Sequence, residues 1–297
     1  MPSLTVDPIR RRCVAALPCV LTPLLAAGCS LPATGPAAWE RRLGGSTLAL
    51  LGEVHDNADG QRLRLATLQR AIARGWRPAI VMEQFDTDRQ PQIDASRRER
   101  PGDAGHLIEQ AGGDGWDWPL YRPLVQLALD HQLPLIAGNL PRAQARRLVR
   151  EQHAAVLGAE NARSLGLDQP LPPDWQAAQQ REIEIGHCNA LPATMLPGMV
   201  RAQAARDAVL AERLARHRAN GTVLIAGNGH VRRDIGVPLW LRGRHGLAAG
   251  DIVAIGYLES TDADAAAVFD AVVAIAPKRD RVDPCIQFRR DRAERPA

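Results

Sequence analysis

The chain alternates between short apolar runs and longer amphipathic stretches. The apolar runs have the length and composition of buried strands, and they cover residues 47–51, 79–82, 133–137, 222–226 and 252–255, with a weaker sixth at 271–275. Between them, apolar residues recur at helical spacing over 61–74, 121–131, 143–157, 173–185 and 197–217. Strands that alternate with helices predict an α/β domain with a mainly parallel central sheet flanked by helices.

One segment, residues 89–119, breaks this alternation. It contains Pro91, Pro101, the pair Gly112 and Gly113, and two tryptophans, Trp116 and Trp118. This composition predicts a helical or irregular insertion that could serve as a lid. We therefore expect an α/β domain over 46–278, with the lid at about 89–119 and a charged C-terminal tail over 279–297.

The N-terminal segment has the pattern of an export signal. Arginines at 10–12 precede an apolar run over 13–27, which is too short to span a bilayer as a helix. The run ends in the letters LAAGC, which resemble the lipobox of bacterial lipoproteins, where the cysteine is lipidated. Ser30 rather than Asp follows, as in lipoproteins sorted to the outer membrane. We expect a signal peptide over 1–28, lipidation at Cys29 and a tether over 29–45, with a plain secretory peptide as the alternative.

The charge of the chain bears on nucleic-acid binding, and its cysteine content bears on disulfide formation. The formal net charge is +4, from 37 Lys and Arg against 33 Asp and Glu, and no basic stripe with interleaved aromatics predicts nucleic-acid binding. After processing, Cys188 and Cys285 are the remaining unmodified cysteines, and in an oxidising compartment they could pair. Because Cys188 lies in a motif-like stretch and Cys285 in a polar tail, the sequence favours unpaired thiols.

Each of the five stronger strands is followed by a polar cluster. The clusters are GEVHDN at 52–57, EQ at 83–84, GN at 138–139, GNGH at 227–230 and GY at 256–257. The carboxyl ends of parallel strands meet at one edge of the sheet, and open α/β sheets bind their ligands there. The clusters therefore predict one shared site.

Two of these clusters share a Gly-x-x-His spacing, which ends in His55 and in His230. With Glu53 and Glu83 they form a donor set that suits a divalent metal such as Mn, Co or Zn. Such a metal could activate water, so the four residues are also the candidate catalytic residues of a hydrolase. Either histidine alone could instead cap or fill the core, and Glu83 could pair with a structural arginine.

Further polar residues are candidate ligand contacts. Gln203 and Asp207 interrupt the apolar stripe of the helix at 197–217, with Arg206 beside them, and are either solvated or turned toward the site. Asn139 could place the next helix N-terminus against an anion or serve only as its cap. Upstream of the long helix, His187 supplies another ligand type.

The two tyrosines are further candidates. A phenolate can ligate ferric haem, so Tyr121 and Tyr257 are candidate iron ligands, with burial in the core as the alternative for each. Tyr121 lies beside the tryptophans of the insertion.

An ordered set of motifs carries a family resemblance. They are LLGEVHDN at 50–57, ME at 82–83, AGNLPR at 137–142, GHC at 186–188, MLPGM at 195–199, QxxRD at 203–207 and GNGHVR at 227–232. Together they resemble the ChaN family of bacterial haem-binding lipoproteins, over about residues 45–260. The wider superfamily is similar to the Tiki metalloproteases and the erythromycin esterases, whose paired Gly-x-x-His motifs match the Glu53, His55, Glu83 and His230 set.

The resemblance implies a membrane-anchored protein of haem or iron uptake that binds ferric haem as a homodimer, with two stacked haems and tyrosine as the iron ligand. Tyr121 is the first choice for that ligand and Tyr257 the second. Haem propionates would need cations, for which Arg142, Arg206 and Arg232 are the candidates. An outer-membrane haem transporter is an expected partner. The alternative is a periplasmic esterase or peptidase that uses the divalent metal.

Overall fold

Six strands form a single parallel sheet in the computed structural model, which describes residues 38–45, 47–260, 263–283 and 285–286. The strands are β1 (Leu48–Leu51), β2 (Ala79–Asp86), β3 (Leu135–Asn139), β4 (Thr222–Ile225), β5 (Ile252–Leu258) and β6 (Ala271–Ala274), in the spatial order β3-β2-β4-β1-β5-β6. Every neighbouring pair is parallel. The predicted α/β fold is confirmed, and the carboxyl ends of all six strands point to one edge.

Helices connect the strands and cover both faces of the sheet. Those of the first half are α1 (Ala58–Ala73), α2 (Gln90–Glu99), α3 (Ala104–Ala111), α4 (Trp118–Asp130) and α5 (Arg142–Leu148). The second half contains α6 (His153–Leu157), α7 (Ala159–Ser164), α8 (Pro173–Gly186), α9 (Leu196–Arg216), α10 (Asn228–Val231), α11 (Val237–His245) and α12 (Ala263–Ala267).

Successive residues of each central strand supply opposite cores. In β1, Ala49 and Leu51 pack on the side of α1 and α4, while Leu48 and Leu50 pack on the side of α9 and α11. This alternation has the period of two that a strand imposes. Because both faces are covered, the strands are apolar throughout, as is usual in parallel sheets.

The helix predicted over 143–157 is divided into α5 and α6. Arg201 of α9 donates to the carbonyl oxygen of Leu148 at 2.8 Å, at the end of α5. A Cβ atom on Gly198 would lie 1.9 Å from the carbonyl oxygen of Val149, so α9 approaches this break closely only because residue 198 is glycine. The break therefore follows from packing against α9.

The predicted insertion contains α2 and α3 and then a loop over 112–117. Arg97 of α2 donates to the carbonyl oxygen of Leu133 at 2.7 Å, which holds the helix against the start of β3. The loop continues directly into α4, which begins at Trp118. The insertion is thus more regular than its proline and glycine content indicates.

Residues near both ends of the described part of the chain contact the domain. Glu40, within the predicted tether, is buried and pairs with Arg70 at 2.7 Å. In the predicted tail, Arg281 pairs with Asp56 at 2.5 Å. The signal segment, Cys29, residues 30–37 and most of the tail lie outside the described residues.

Cys188 and Cys285 form a disulfide, with their Cα atoms 5.4 Å apart. The expectation of unpaired thiols was wrong, because the turn after α8 and the tail segment meet in space although they are 97 residues apart in the chain. Within the described residues, no helix is both long enough and apolar enough to cross a membrane.

Candidate functional site

A cleft of about 700 Å³ opens at the edge of the sheet where the strands end. Its floor includes His55, Glu83 and Asn139, which follow β1 or lie in β2 and β3. Its walls come from the insertion loop and from the starts of α4 and α5, with Gly113, Asp114, Gly115, Trp116, Tyr121, Leu140, Arg142, Ala145 and Arg146 among the lining residues. Volumes of about 300–1,000 Å³ are usual for small-molecule and cofactor sites.

Glu53 is the centre of a buried hydrogen-bond network beneath this floor. Its carboxylate forms an ion pair with Arg64 of α1 at 2.5 Å, and both side chains are only 1% exposed. It also accepts hydrogen bonds from three further side chains: Tyr121 Oη at 2.8 Å, Gln84 Nε2 at 2.9 Å and Gln61 Nε2 at 3.1 Å. Burial alone would raise the pKa of Glu53, but the Arg64 charge and the His55 hydrogen bond hold it below its ordinary value.

His55 connects this network to the open cleft. Its Nδ1 lies 2.7 Å from Glu53 Oε1, while its side chain remains 48% exposed. Among the described residues, its Nε2 has no hydrogen-bond partner. The ring meets Trp116 edge to face, with centroids 5.0 Å apart. Burial would lower the pKa of His55, but the hydrogen bond to Glu53 and the nearby carboxylate charges raise it overall.

The segment that follows β4 approaches His55 closely at a glycine. A Cβ atom on Gly227 would lie 3.1 Å from both Cε1 and Nε2 of the ring. The Gly227 amide also donates to Glu83 Oε2 at 2.8 Å. The second Gly-x-x-His motif therefore places a bare backbone against the histidine of the first one.

His230 lies between two buried carboxylates. Its Nδ1 is 2.5 Å from Asp207 Oδ1 and its Nε2 is 3.3 Å from Glu83 Oε1. Burial would lower the pKa of His230, but the two carboxylates raise it to about 9. Burial likewise opposes the charge on Glu83, yet His230 and Arg206 lower the pKa of that carboxyl group, whereas burial dominates for Asp207 and raises its pKa.

Helix α9 turns its polar residues toward the site. Asp207 is fully buried against His230, and Gln203, one turn earlier, places its Nε2 3.0 Å from His230 Nδ1. Arg206 donates to Glu83 at 3.0 Å and to Asn139 Oδ1 at 3.1 Å. Residues four apart share a helix face, so the interruptions in the apolar stripe mark the site and are not solvated. Asn139 serves as an acceptor for Arg206 and does not cap α5.

The predicted metal centre is not supported. The structure brings Glu53, His55, Glu83 and His230 together at the floor of the cleft or just beneath it, where Arg64 pairs with Glu53 and Arg206 pairs with Glu83. Within the described ranges, no group of three or more His, Cys, Asp or Glu side chains is arranged to hold a metal ion. Arg64 and Arg206 supply the positive charge beside Glu53 and Glu83.

Comparison with known proteins identifies the family. The model of the family described as "Haem-binding uptake, Tiki superfamily, ChaN" matches residues 40–241. The chain belongs to this family. The predicted resemblance is thereby confirmed. No curated protein matches the chain.

A solved structure of a ChaN protein shares the fold of this chain, and an erythromycin esterase is a weaker match. A structure described as "Cofacial heme binding to ChaN of Campylobacter jejuni" is 18% identical, with a TM-score of 0.64, and the alignment covers 79% of this chain and 89% of that one. A mutant of erythromycin esterase EreC in its open conformation is 11% identical, with a TM-score of 0.42, covering 73% of this chain and 71% of that one.

Three of the predicted contacts lie away from the cleft of the ChaN-family domain. Tyr257 is buried in the core, where its hydroxyl lies 3.4 Å from Thr67 on α1. His187 ends α8, with its Nδ1 2.7 Å from the carbonyl oxygen of Ile183. Arg232 pairs with Asp234 at 2.7 Å and with Glu182. These three residues lie close to residues of the site in the sequence, but their side chains do not line the cleft.

Tyr121 does line the cleft, but its hydroxyl group is committed to Glu53. The side chain is fully buried, and both burial and the neighbouring Glu53 charge raise its pKa far above the ordinary value. In this arrangement the Tyr121 hydroxyl group orients the Glu53 carboxylate.

Sequence reasoning missed two arginines of the cleft. Arg89 and Arg146 line it, are exposed, and form no ion pair or hydrogen bond within the described part of the chain. The predicted Arg142 also lines the cleft and donates to the carbonyl oxygen of Asp114 at 3.0 Å. Neither Arg89 nor Arg146 belongs to a motif, and an arginine in a helical stretch carries no signal that it faces a ligand.

Proposed function

We propose that this chain binds ferric haem in the cleft at the carboxyl edge of the sheet, as a component of haem or iron uptake. The observation that carries the proposal is a cofactor-sized cleft with a tryptophan wall and unpaired arginines, in a chain of the haem-binding uptake family. The Campylobacter ChaN structure is described as binding heme cofacially, and this supports the choice of ligand.

Four arginines of the cleft offer cations to the two carboxylates of haem, although five acidic residues, Asp56, Glu83, Asp86, Asp114 and Asp117, also line it. Arg89 and Arg146 lie at its rim without partners, and Arg142 and Arg206 stand beside them. Arginine forms short charge-assisted hydrogen bonds with carboxylates. Trp116 and Leu140 supply apolar surface that a porphyrin face would cover. The residues of the cleft therefore suit both the carboxylates of haem and the face of its porphyrin ring.

His55 is the residue that we propose as the iron ligand. Imidazole is a common axial ligand of haem iron, and His55, which lines the cleft, has an Nε2 without a hydrogen-bond partner among the described residues. Metal-binding histidines usually donate their other ring nitrogen to a carboxylate, which fixes the tautomer and raises the basicity of the ligand. Glu53 supplies that carboxylate at 2.7 Å. The haem, when bound, would supply redox-active iron at this position.

The cellular setting is part of the same proposal. The lipobox at Cys29 supports anchoring by lipid to a bacterial membrane, and Ser30 supports sorting to the outer membrane. The proposal includes a homodimer with two stacked haems, because the Campylobacter protein is described as binding heme cofacially. An outer-membrane haem transporter would then be the donor or acceptor.

Replacing Arg89 and Arg146 together with glutamine is expected to weaken haem binding by more than tenfold. A partly exposed charge pair contributes up to about 1 kcal/mol, or about fivefold in the dissociation constant, for each arginine. The measurement is an absorption titration of the full chain with ferric haem, followed at the Soret band to saturation. The control replaces Arg163 and Arg181, two exposed arginines outside the cleft, and should leave the titration unchanged. Equal weakening in both double variants would refute the cleft as the site.

A further inference from the structure

The edge of the sheet opposite the cleft gathers the segments that precede four strands. These segments, residues 40–47, 70–78, 212–221 and 242–251, are named here the basic edge. Arg42 donates to the carbonyl oxygen of Gly250 at 3.1 Å, Trp76 Nε1 donates to that of Gly45 at 3.1 Å, and the amide of Ala79 donates to that of Gly221 at 3.1 Å. The four segments therefore form one continuous surface.

The basic edge has a large local excess of positive charge. It contains ten arginines, at 41, 42, 70, 74, 77, 213, 216, 218, 242 and 244, against three carboxylates, at 40, 212 and 251. This excess of seven exceeds the net charge of +4 for the whole chain, so the remainder of the molecule is net negative. Helices α1, α9 and α11 end there, and arginine at a helix C-terminus also stabilises the helix dipole.

Two of the three carboxylates of the basic edge are already neutralised within it. Glu40 pairs with Arg70 at 2.7 Å, and Glu212 pairs with Arg216. Six other arginines are exposed and have no carboxylate partner within the described ranges: Arg42, Arg74, Arg77, Arg218, Arg242 and Arg244. Uncompensated, exposed guanidinium groups at this density attract an anionic surface.

A cavity of about 400 Å³ lies within the basic edge. Arg74 and Arg77 line it, together with Gly44, Gly45 and Gly75. Arg74 donates to the carbonyl oxygen of Glu40 at 2.8 Å and Arg77 to that of Ile72 at 2.8 Å, which fixes both side chains while their charge remains unpaired. The cavity can therefore take a phosphate group between two positioned cations.

We propose that the basic edge binds the anionic phosphate headgroups of a lipid surface, so that the cleft opens away from the membrane. Each arginine near an anionic leaflet strengthens binding by about fivefold. Residues 38–45 lie at this edge, and the nine peptide links between Cys29 and Ala38 can span at most about 30 Å. The proposal rests on the proposed lipid anchor at Cys29, which would hold this edge near the bilayer.

The test is vesicle flotation of the full chain carrying Cys29→Ala, which cannot be lipidated. Vesicles contain either phosphatidylcholine alone or equal parts of phosphatidylcholine and phosphatidylglycerol. The ratio of binding to the two vesicle types isolates the charge effect, because the apolar run at 13–27 is the same in every variant. Replacing Arg74, Arg77 and Arg218 with glutamine is expected to lower this ratio about a hundredfold.

The matched control replaces Arg62, Arg122 and Arg181 with glutamine. These exposed arginines lie on α1, α4 and α8, outside the basic edge, and their loss changes the net charge equally. The control is expected to keep the wild-type ratio. An unchanged ratio in the first triple variant, or an equal fall in the control, would overturn the proposal. Mass analysis of the mature chain from membranes tests lipidation of Cys29 separately, so the two failures can be told apart.

Discussion

Replacing Arg64 with methionine is expected to lower the free energy of unfolding by about 3–5 kcal/mol, because it leaves a buried carboxylate without its cation. Arg64 and Glu53 are each only 1% exposed and lie 2.5 Å apart. Arg64 also donates to the carbonyl oxygen of Gly52 at 3.1 Å, at the end of β1. The substitution therefore removes the partner of both the carboxylate and a strand-end carbonyl.

Urea unfolding of the full chain measures this loss. Arg62→Met is the control on the same helix, since Arg62 is exposed and its removal should change stability by no more than about 0.5 kcal/mol. Combining Arg64→Met with Glu53→Gln should recover part of the loss, because the neutral amide needs no cation. If Arg64→Met were as stable as Arg62→Met, the buried pair would not hold the floor of the cleft.

The free energy of unfolding is expected to fall by about 3 kcal/mol as the pH rises from 6.5 to 9, because of His230. The folded state raises the pKa of His230 from 6.5 to about 9 through Glu83 and Asp207. Below pH 6.5 the imidazole is charged in both states, and the full stabilisation is present. Above it, the unfolded chain loses the proton first, so the stabilisation declines until the folded state also deprotonates near pH 9.

Denaturant unfolding of the full chain at several pH values follows this decline. His230→Gln should be less stable at pH 6.5 and should lose much of the slope between pH 6.5 and 9. His131→Gln is the control, because His131 is exposed at the end of α4, and it should keep the wild-type slope. A slope that is the same in all three proteins would contradict the charged state of His230.

The fold could be predicted because burial on both faces makes the central strands apolar throughout. The runs at 47–51 and 222–226 match β1 and β4 within one residue at each end. The second run was predicted too short, since β2 continues to Asp86 through the polar residues Glu83 and Gln84. These polar residues can be buried because other residues of the site form hydrogen bonds with them. A pattern of hydrophobic and polar positions does not show which residues those partners are.

The convergence of the site was also predictable, since parallel strands place their carboxyl ends together. The ion pairs within the site were not predictable. Arg64 lies in the same helical stretch as the exposed Arg62, and sequence spacing alone did not mark it as the partner of Glu53. Glu83 was predicted as a metal ligand because the arginine that neutralises it comes from a distant segment of the chain. Arg206 is 123 residues from Glu83.

The most direct test of iron ligation by His55 compares the Soret spectra of three ferric haem complexes, those of the wild-type chain, His55→Ala and Tyr121→Phe. We expect the wild-type titration to saturate at one haem per chain. His55→Ala should lose the imidazole-type spectrum and bind more weakly, while Tyr121→Phe should keep the wild-type spectrum. A wild-type spectrum in His55→Ala, together with its loss in Tyr121→Phe, would contradict the account and identify the tyrosine as the ligand.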